Sequence, residues 1–165
     1  MTAKVGRRFL PEGDDMTSAT SGPALSTTDS DSLRARIDHF YARQMHALDD
    51  NRPAEWAATF TDDGVFAVKG QPEPTRGRAA LTAAAAAVRD QLAADGVMHR
   101  HWLGMLSVDP RSDGTVLARF YALVIATPRD GAPCLHRSTC CADVLVGDGE
   151  GWLVRERQVE RDDLI

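Results

Sequence analysis

The chain has 165 residues, 43% of them hydrophobic and 26% charged, and a formal net charge of -5. That length fits one domain and the composition is that of an ordinary globular protein. The acidic balance argues against a nucleic-acid footprint, no apolar run approaches the roughly 18 residues of a membrane helix, and Lys4, Arg7 and Arg8 lead into no apolar stretch of the secretory type.

Residues 1 to 30 lack periodicity and are rich in Ser, Thr, Asp, Gly and Pro, the composition of a disordered leader. Asp29, Ser30, Asp31 and Ser32 are competent N-caps, which predicts the first helix from there and a domain over 31–165. Leu33, Ile37, Phe40, Tyr41, Gln44 and Leu48 recur at helical spacing and form one face. Asp49 closes that face, either as a carboxylate at its inner end or as a solvated residue near a helix terminus. Pro53 suits the first turn of a second helix, on which Trp56 and Phe60 stand one turn apart. Thr61-Asp62-Asp63-Gly64 is turn chemistry, and Val65 to Val68 is a short strand. Lys69 to Gly77 reads as a loop with a short edge strand near Glu73 to Arg76. Arg78 to Asp95 is an alanine-rich third helix, closely packed through Leu81, Ala85, Val88 and Leu92 and ended by Gly96.

From Val97 the period changes to that of strands. Val97 to Val108, Thr115 to Thr127, Leu135 to Val146 and Trp152 to Asp162 are long and joined by short turns, which predicts an antiparallel meander. Helices first and a curled sheet afterwards is an α+β plan, and such a sheet can wrap the helices and leave a conical cavity.

Several groups on these strands carry chemistry. Alternation puts His99, His101, Leu103 and Met105 on one face, with one bulge near Arg100 enough to change which histidine points inward. An H-x-H pair without a third ligand at a fitting spacing is weak support for a metal, and none is expected. Arg119, Tyr121 and Leu123 share a face, as do Thr139, Cys141, Asp143 and Leu145. Asp143 reads as a half-buried carboxylate or as an acceptor for a neighbouring N–H, and either Arg155 or Arg157 can reach inward. Cys134, Cys140 and Cys141 are odd in number and lack a CxxC spacing, so neither a disulfide framework nor a zinc ribbon is indicated and a reducing cytoplasm is the expected setting. Cys140 and Cys141 read as packing residues. No GxSxG, P-loop, GxGxxG or HExxH motif occurs.

The order FYARQMHALDD, WAATFTDDGVF, RGRAAL, HRHWLGMLSVD and GWLVRERQVERDD, over about residues 32 to 163, resembles the SnoaL-like division of the nuclear transport factor 2 (NTF2)-like superfamily. The resemblance implies a cone of three helices packed on a curved, mostly antiparallel sheet around a ligand cavity. It implies a cofactor-independent acid/base enzyme that cyclises, isomerises or dehydrates a hydrophobic, polyketide-like carbonyl substrate. The alternative within the superfamily is a non-catalytic ligand binder or an accessory subunit of a biosynthetic complex. Residue by residue, Asp49, His101 and Arg157 match the acid, histidine and arginine of the dehydratase-like branch, whereas Gln44 stands where that branch has a tyrosine, a gap that Tyr41 or Tyr121 could fill. Tyr41, Gln44, Met45, Trp56, Phe60, Met105, Tyr121 and Cys141 are then the expected substrate contacts, with Trp102 in support. A homodimer through the open sheet face is implied as well.

Overall fold

The computed structural model describes residues 27–149 and 151–164. Helix α1 spans Thr27–Asp49. It begins ahead of the caps expected at Asp29 to Ser32 and takes in residues 27–30 of the expected leader, whose residues 1–26 lie outside the described residues. Ile37, Tyr41, Gln44 and Met45 are buried, the 3–4 spacing of one helix face. The chain turns through Asn51 (φ 61°) into helix α2, Pro53–Ala58, with proline in its first turn as expected.

Strand β1 runs over Phe60–Val68, so the acidic turn expected at Thr61 to Gly64 lies inside a strand. The segment is a bulge: Phe60 pairs with Val154 and Val65 with Glu156, which leaves residues 61–64 to be absorbed against a single intervening residue. Gly64 is required there, since a Cβ would stand 2.9 Å from Phe60 Cβ. Strand β2, Thr75–Arg76, is the expected edge strand and pairs antiparallel with β1. Helix α3 follows at Arg78–Asp95 and ends at Gly96 in the left-handed conformation (φ 64°). The long strands are β3 (Val97–Pro110), β4 (Val116–Pro128), β5 (Cys134–Asp148) and β6 (Gly151–Arg161).

All strands form a 6-stranded sheet in the order β2-β1-β6-β5-β4-β3. Among the described residues β1 and β6 are the parallel neighbours, and the other pairs are antiparallel. The sheet curls without closing, and the helices pack on its concave side, which is the expected α+β cone. Ile37, Tyr41, Phe60, Leu81, Phe120, Leu145 and Val154 form the centre of the core. No helix among the described residues is long and apolar enough to cross a membrane.

Two bulges decide which side chains face inward. On β3 the register shifts between Gly104 and Ser107, and Met105 takes φ 56°. The extra residue leaves Met105 77% exposed at the sheet edge, beside Arg34 and Asp38 of α1, instead of below the histidines where plain alternation puts it. On β6, Glu156 pairs with Val144 but Val154 pairs with Leu145, so Arg155 is the extra residue. Arg155 is exposed, and Val154 and Arg157 are both buried although three residues apart. Tyr121 and Trp102 are exposed too; Tyr121 alternates with Phe120 and Ala122, which take the inner face.

Helix α3 departs from the expected close packing. Leu81 is its buried residue among the 18 of the helix, and Val88 is 56% exposed. The reason is that most of its underside roofs a cavity and not a core. Leu81→Ala is expected to lower stability by about 2–5 kcal/mol, whereas Val88→Ala stays within about 0.5 kcal/mol; urea unfolding with matched slopes checks both.

Candidate functional site

The cavity between sheet and helices has a volume of about 1160 Å³. Its apolar wall includes Met45, Trp56, Phe66, Leu103, Phe120 and Val124. Among the polar groups that interrupt that wall, one pair stands where α1 meets β3 and another at the floor between β5 and β6.

Asp49 is the last residue of α1, and the helix end sets its carboxylate against β3. Its Oδ2 accepts the backbone N–H of His101 at 3.0 Å, and its Oδ1 lies 2.6 Å from His101 Nδ1. The Asp49 side chain is 6% exposed and that of His101 22%. A carboxylate can only accept, so Nδ1 carries a proton, and in the neutral ring Nε2 keeps its lone pair. Both residues line the cavity.

The floor is a buried ion pair. Arg157 donates from Nε to Asp143 Oδ1 at 2.8 Å and from Nη2 to Asp143 Oδ2 at 2.6 Å. Nη2 also donates to Gln44 Oε1 at 2.7 Å, and the Tyr41 hydroxyl donates to Asp143 Oδ2 at 2.9 Å. Gln44 Nε2 donates to Thr59 Oγ1 at 2.6 Å, and that hydroxyl donates to the Trp56 carbonyl at 2.6 Å. The rings of Tyr41, Phe60 and Phe120 lie 5.7, 5.6 and 5.4 Å from the guanidinium carbon. Burial opposes the charge on Arg157, but the attraction and hydrogen bonds of Asp143 outweigh it and hold the pKa above the ordinary arginine value. Burial, then the Asp143 charge, raises the Tyr41 phenol well above its usual value, so it stays protonated and donating. Arg157 Nη1 makes no hydrogen bond to a described residue, and Arg157 lines the cavity, so Nη1 is the donor left for a ligand.

The expected site residues therefore divide. Asp49, His101, Arg157, Met45, Trp56 and Cys141 line the cavity. Tyr41, Gln44 and Phe60 are buried behind its wall: Tyr41 and Gln44 are consumed by the ion pair, and Phe60 packs against it, so none of the three is a substrate contact in this geometry. Tyr121 and Trp102 are on the outer face and Met105 is exposed at the sheet edge beside α1, so none of the three lines this cavity. Burial pushes the Cys141 thiol up to about 11, which keeps it protonated and unreactive at neutral pH. Trp56 Nε1 is buried without a hydrogen-bond partner among the described residues.

His99 also faces inward, and its ring stacks on that of His136 with centroids 4.9 Å apart. Burial, then His136, lowers the His99 pKa. The position of His136 was not readable from alternation, because a register shift between Val124 and Ile125 re-aims it. Among the described residues no three His, Cys, Asp or Glu side chains converge to hold a metal ion.

A family model described as a SnoaL-like domain matches residues 31–158. Among solved structures, a Catenulispora acidiphila protein in complex with S-DNPA is 38% identical, with 81% of this chain and 96% of that one covered and a TM-score of 0.71. Aln2 from a Streptomyces species is 35% identical over 81% of this chain and 93% of its own, with a TM-score of 0.75. ActVI-ORFA from Streptomyces coelicolor is 34% identical over 80% and 98%, with a TM-score of 0.74. No curated protein sequence matches the chain.

The floor yields a ranked expectation. Asp143→Ala strands a buried guanidinium and should cost about 3–5 kcal/mol, whereas Tyr41→Phe removes one of three donors and should cost about 1 kcal/mol. Chemical denaturation gives both values, and an inverted order would contradict the network.

Proposed function

The chain belongs to the SnoaL-like domain family, and we propose that it is a cofactor-independent small-molecule enzyme that moves a proton next to a carbonyl of a hydrophobic, polyketide-like substrate. The observation that supports this reading is the Asp49–His101 contact of 2.6 Å opening on a large apolar cavity. His101 Nε2 takes the proton from the carbon beside the carbonyl, and the ring becomes imidazolium. Asp49 fixes the tautomer beforehand and stabilises the positive charge afterwards. The electron pair moves onto the carbonyl oxygen as the enolate forms, and Arg157 Nη1 at the floor donates to a second oxygen further along the skeleton. The imidazolium then returns its proton. Delivery to carbon completes an isomerisation, delivery to a departing hydroxyl a dehydration, and delivery to the alkoxide formed by attack on a second carbonyl a cyclisation.

Gln44 and Tyr41 act in this scheme only through Arg157, which they hold in place. The three free cysteines suit a reducing cytoplasm. S-DNPA, which the 38% identical Catenulispora acidiphila protein holds, is the first compound to assay beside a panel of polycyclic aromatic ketones. Liquid chromatography with mass detection should find a product of changed mass or retention. Asp49→Asn and His101→Ala should each lower turnover by about 10²–10⁴-fold while leaving ligand affinity nearly unchanged. Ligands bound tightly by the wild-type protein yet recovered intact would overturn the enzyme reading in favour of a carrier.

The outer face of β3, β4 and β5 supports a homodimer. Trp102, Tyr121 and Leu135 are exposed there beside half-buried Leu123 and Ile125, with Arg100 and Arg119 among them. Such an apolar patch on a sheet face suits a second sheet. Sedimentation equilibrium should give a dimer at micromolar concentration for the wild type and a monomer for Trp102→Glu; a wild-type monomer removes this assignment.

A further inference from the structure

We propose that the cavity mouth formed by Arg129, His136, Arg137 and His99 is an anion subsite, and that the substrate carries a carboxylate or phosphate held there while its carbonyl lies at His101. This deepens the proposed reaction and rests on it for the position of the carbonyl, but the subsite itself is argued from charge and register.

The protein carries a net charge of -5, yet its cavity lining includes Arg89, Arg129, Arg137, Arg157 and Arg161 against Asp49 and Asp90. The lining is cationic inside an acidic chain. Three of those arginines have carboxylate partners: Arg89 with Asp90 at 2.8 Å, Arg157 with Asp143 at 2.6 Å and Arg161 with Asp163 at 2.6 Å. The side chains of Arg129 and Arg137 make no ion pair or hydrogen bond with a described residue. Asp163 feels the charge of Arg137, but both its oxygens are taken by Nε and Nη2 of Arg161.

Of the two unpaired arginines, Arg137 is brought to the histidines by sheet register, and His99 feels its charge. Val124 pairs with Arg137 but Ile125 pairs with Leu135, which makes His136 the extra residue of a bulge. His136 and Arg137 consequently both line the cavity, which alternation forbids in a regular strand. His136 stacks on His99 at 4.9 Å, and Arg129 is pinned where its backbone N–H donates to the Gly96 carbonyl at 2.8 Å. Two guanidinium groups and two imidazoles, each with an N–H to give, form a donor set for an oxyanion.

Register also gives the reach. His101 pairs with Val124 and Val124 with Arg137, so the two lie in one cross-strand row, two strand spacings or roughly 10 Å apart. Asp143 is six residues further along β5, roughly 20 Å from Arg137 at strand rise. The mouth is therefore separate from the ion pair at the floor, and a polycyclic skeleton spans the interval to His101.

The test is binding of 2-naphthylacetate, its methyl ester and 2-naphthyl phosphate, followed by equilibrium dialysis near neutral pH. The subsite predicts that at least one acid binds about tenfold or more tightly than the ester, a difference of about 1.4 kcal/mol. The double variant Arg129→Gln/Arg137→Gln should bring the acids down to the affinity of the ester and leave the ester unchanged, which also shows that the cavity is intact. Whichever acid binds more tightly identifies a carboxylate or a phosphate as the anchored group. Equal binding of acids and ester by the wild type, or a preference that survives in the double variant, overturns the subsite. His101→Ala should keep the preference, so loss of the catalytic reading and loss of this one are separable results.

Discussion

A charge removed from water is tolerated only where every remaining donor and acceptor is met, and the Arg157–Asp143 pair imposes that constraint on the whole floor of this cone. Each ion costs several kcal/mol to bury. Asp143 is met by two nitrogens of Arg157 and by the Tyr41 hydroxyl. The second proton of Nη2 goes to Gln44, whose amide passes the chain to Thr59 and on to the Trp56 carbonyl. One polar thread thus ties α1, the end of α2, β5 and β6 together. It has directional geometry that apolar packing lacks, and the surrounding rings of Tyr41, Phe60 and Phe120 keep water off it. The orientation of α1 over the sheet, and with it the place of Asp49 at the far end of that helix, follows from this anchor.

The cavity explains the uneven packing elsewhere. A space of about 1160 Å³ at the centre of the cone displaces the core to one side, beneath α1 and α2. Helix α3 then has little to pack on beyond Leu81, and its alanines keep it helical through propensity where tertiary contacts are sparse. Small side chains on its underside also leave the cavity wide. What is lost in buried apolar area is regained as space for a ligand.

The helices, the long strands and the α+β order were legible because apolar periodicity and turn chemistry are local signals. The position of Asp49 at the end of an apolar face was legible on the same grounds, whereas its matching to His101 and Arg157 came through family resemblance. Their contact depends on helix meeting strand, which no local pattern encodes. Two positions share one cause. Met105 and Arg155 sit at bulges, and a bulge is one extra residue whose presence the alternation of side chains does not announce. The acidic segment after Phe60 is turn-like by composition and yet is taken up in a strand by the pairing of β1 with β6. Gln44 and Tyr41 read as ligand contacts through the family resemblance; the buried acceptor and donor that claim them come from strands about a hundred residues further along.

The dyad is placed against local electrostatics. Asp49 ends α1, where the helix dipole presents partial negative charge and favours a cation. A carboxylate in that place, nearly removed from solvent, is disfavoured by its own helix and persists because β3 supplies compensation. One oxygen receives a backbone N–H that strand pairing leaves available, and the other receives an imidazole N–H. Helix propensity and solvation alone would place a lysine or an exposed residue here. The cost falls on the helix end, and the gain is an imidazole held in one tautomer with its second nitrogen directed to the cavity. Local helix stability is exchanged here for a defined ring orientation. The arrangement leaves the carboxylate on the helix end immobile, with its side chain 6% exposed, and the imidazole on the strand open to the cavity, with its side chain 22% exposed.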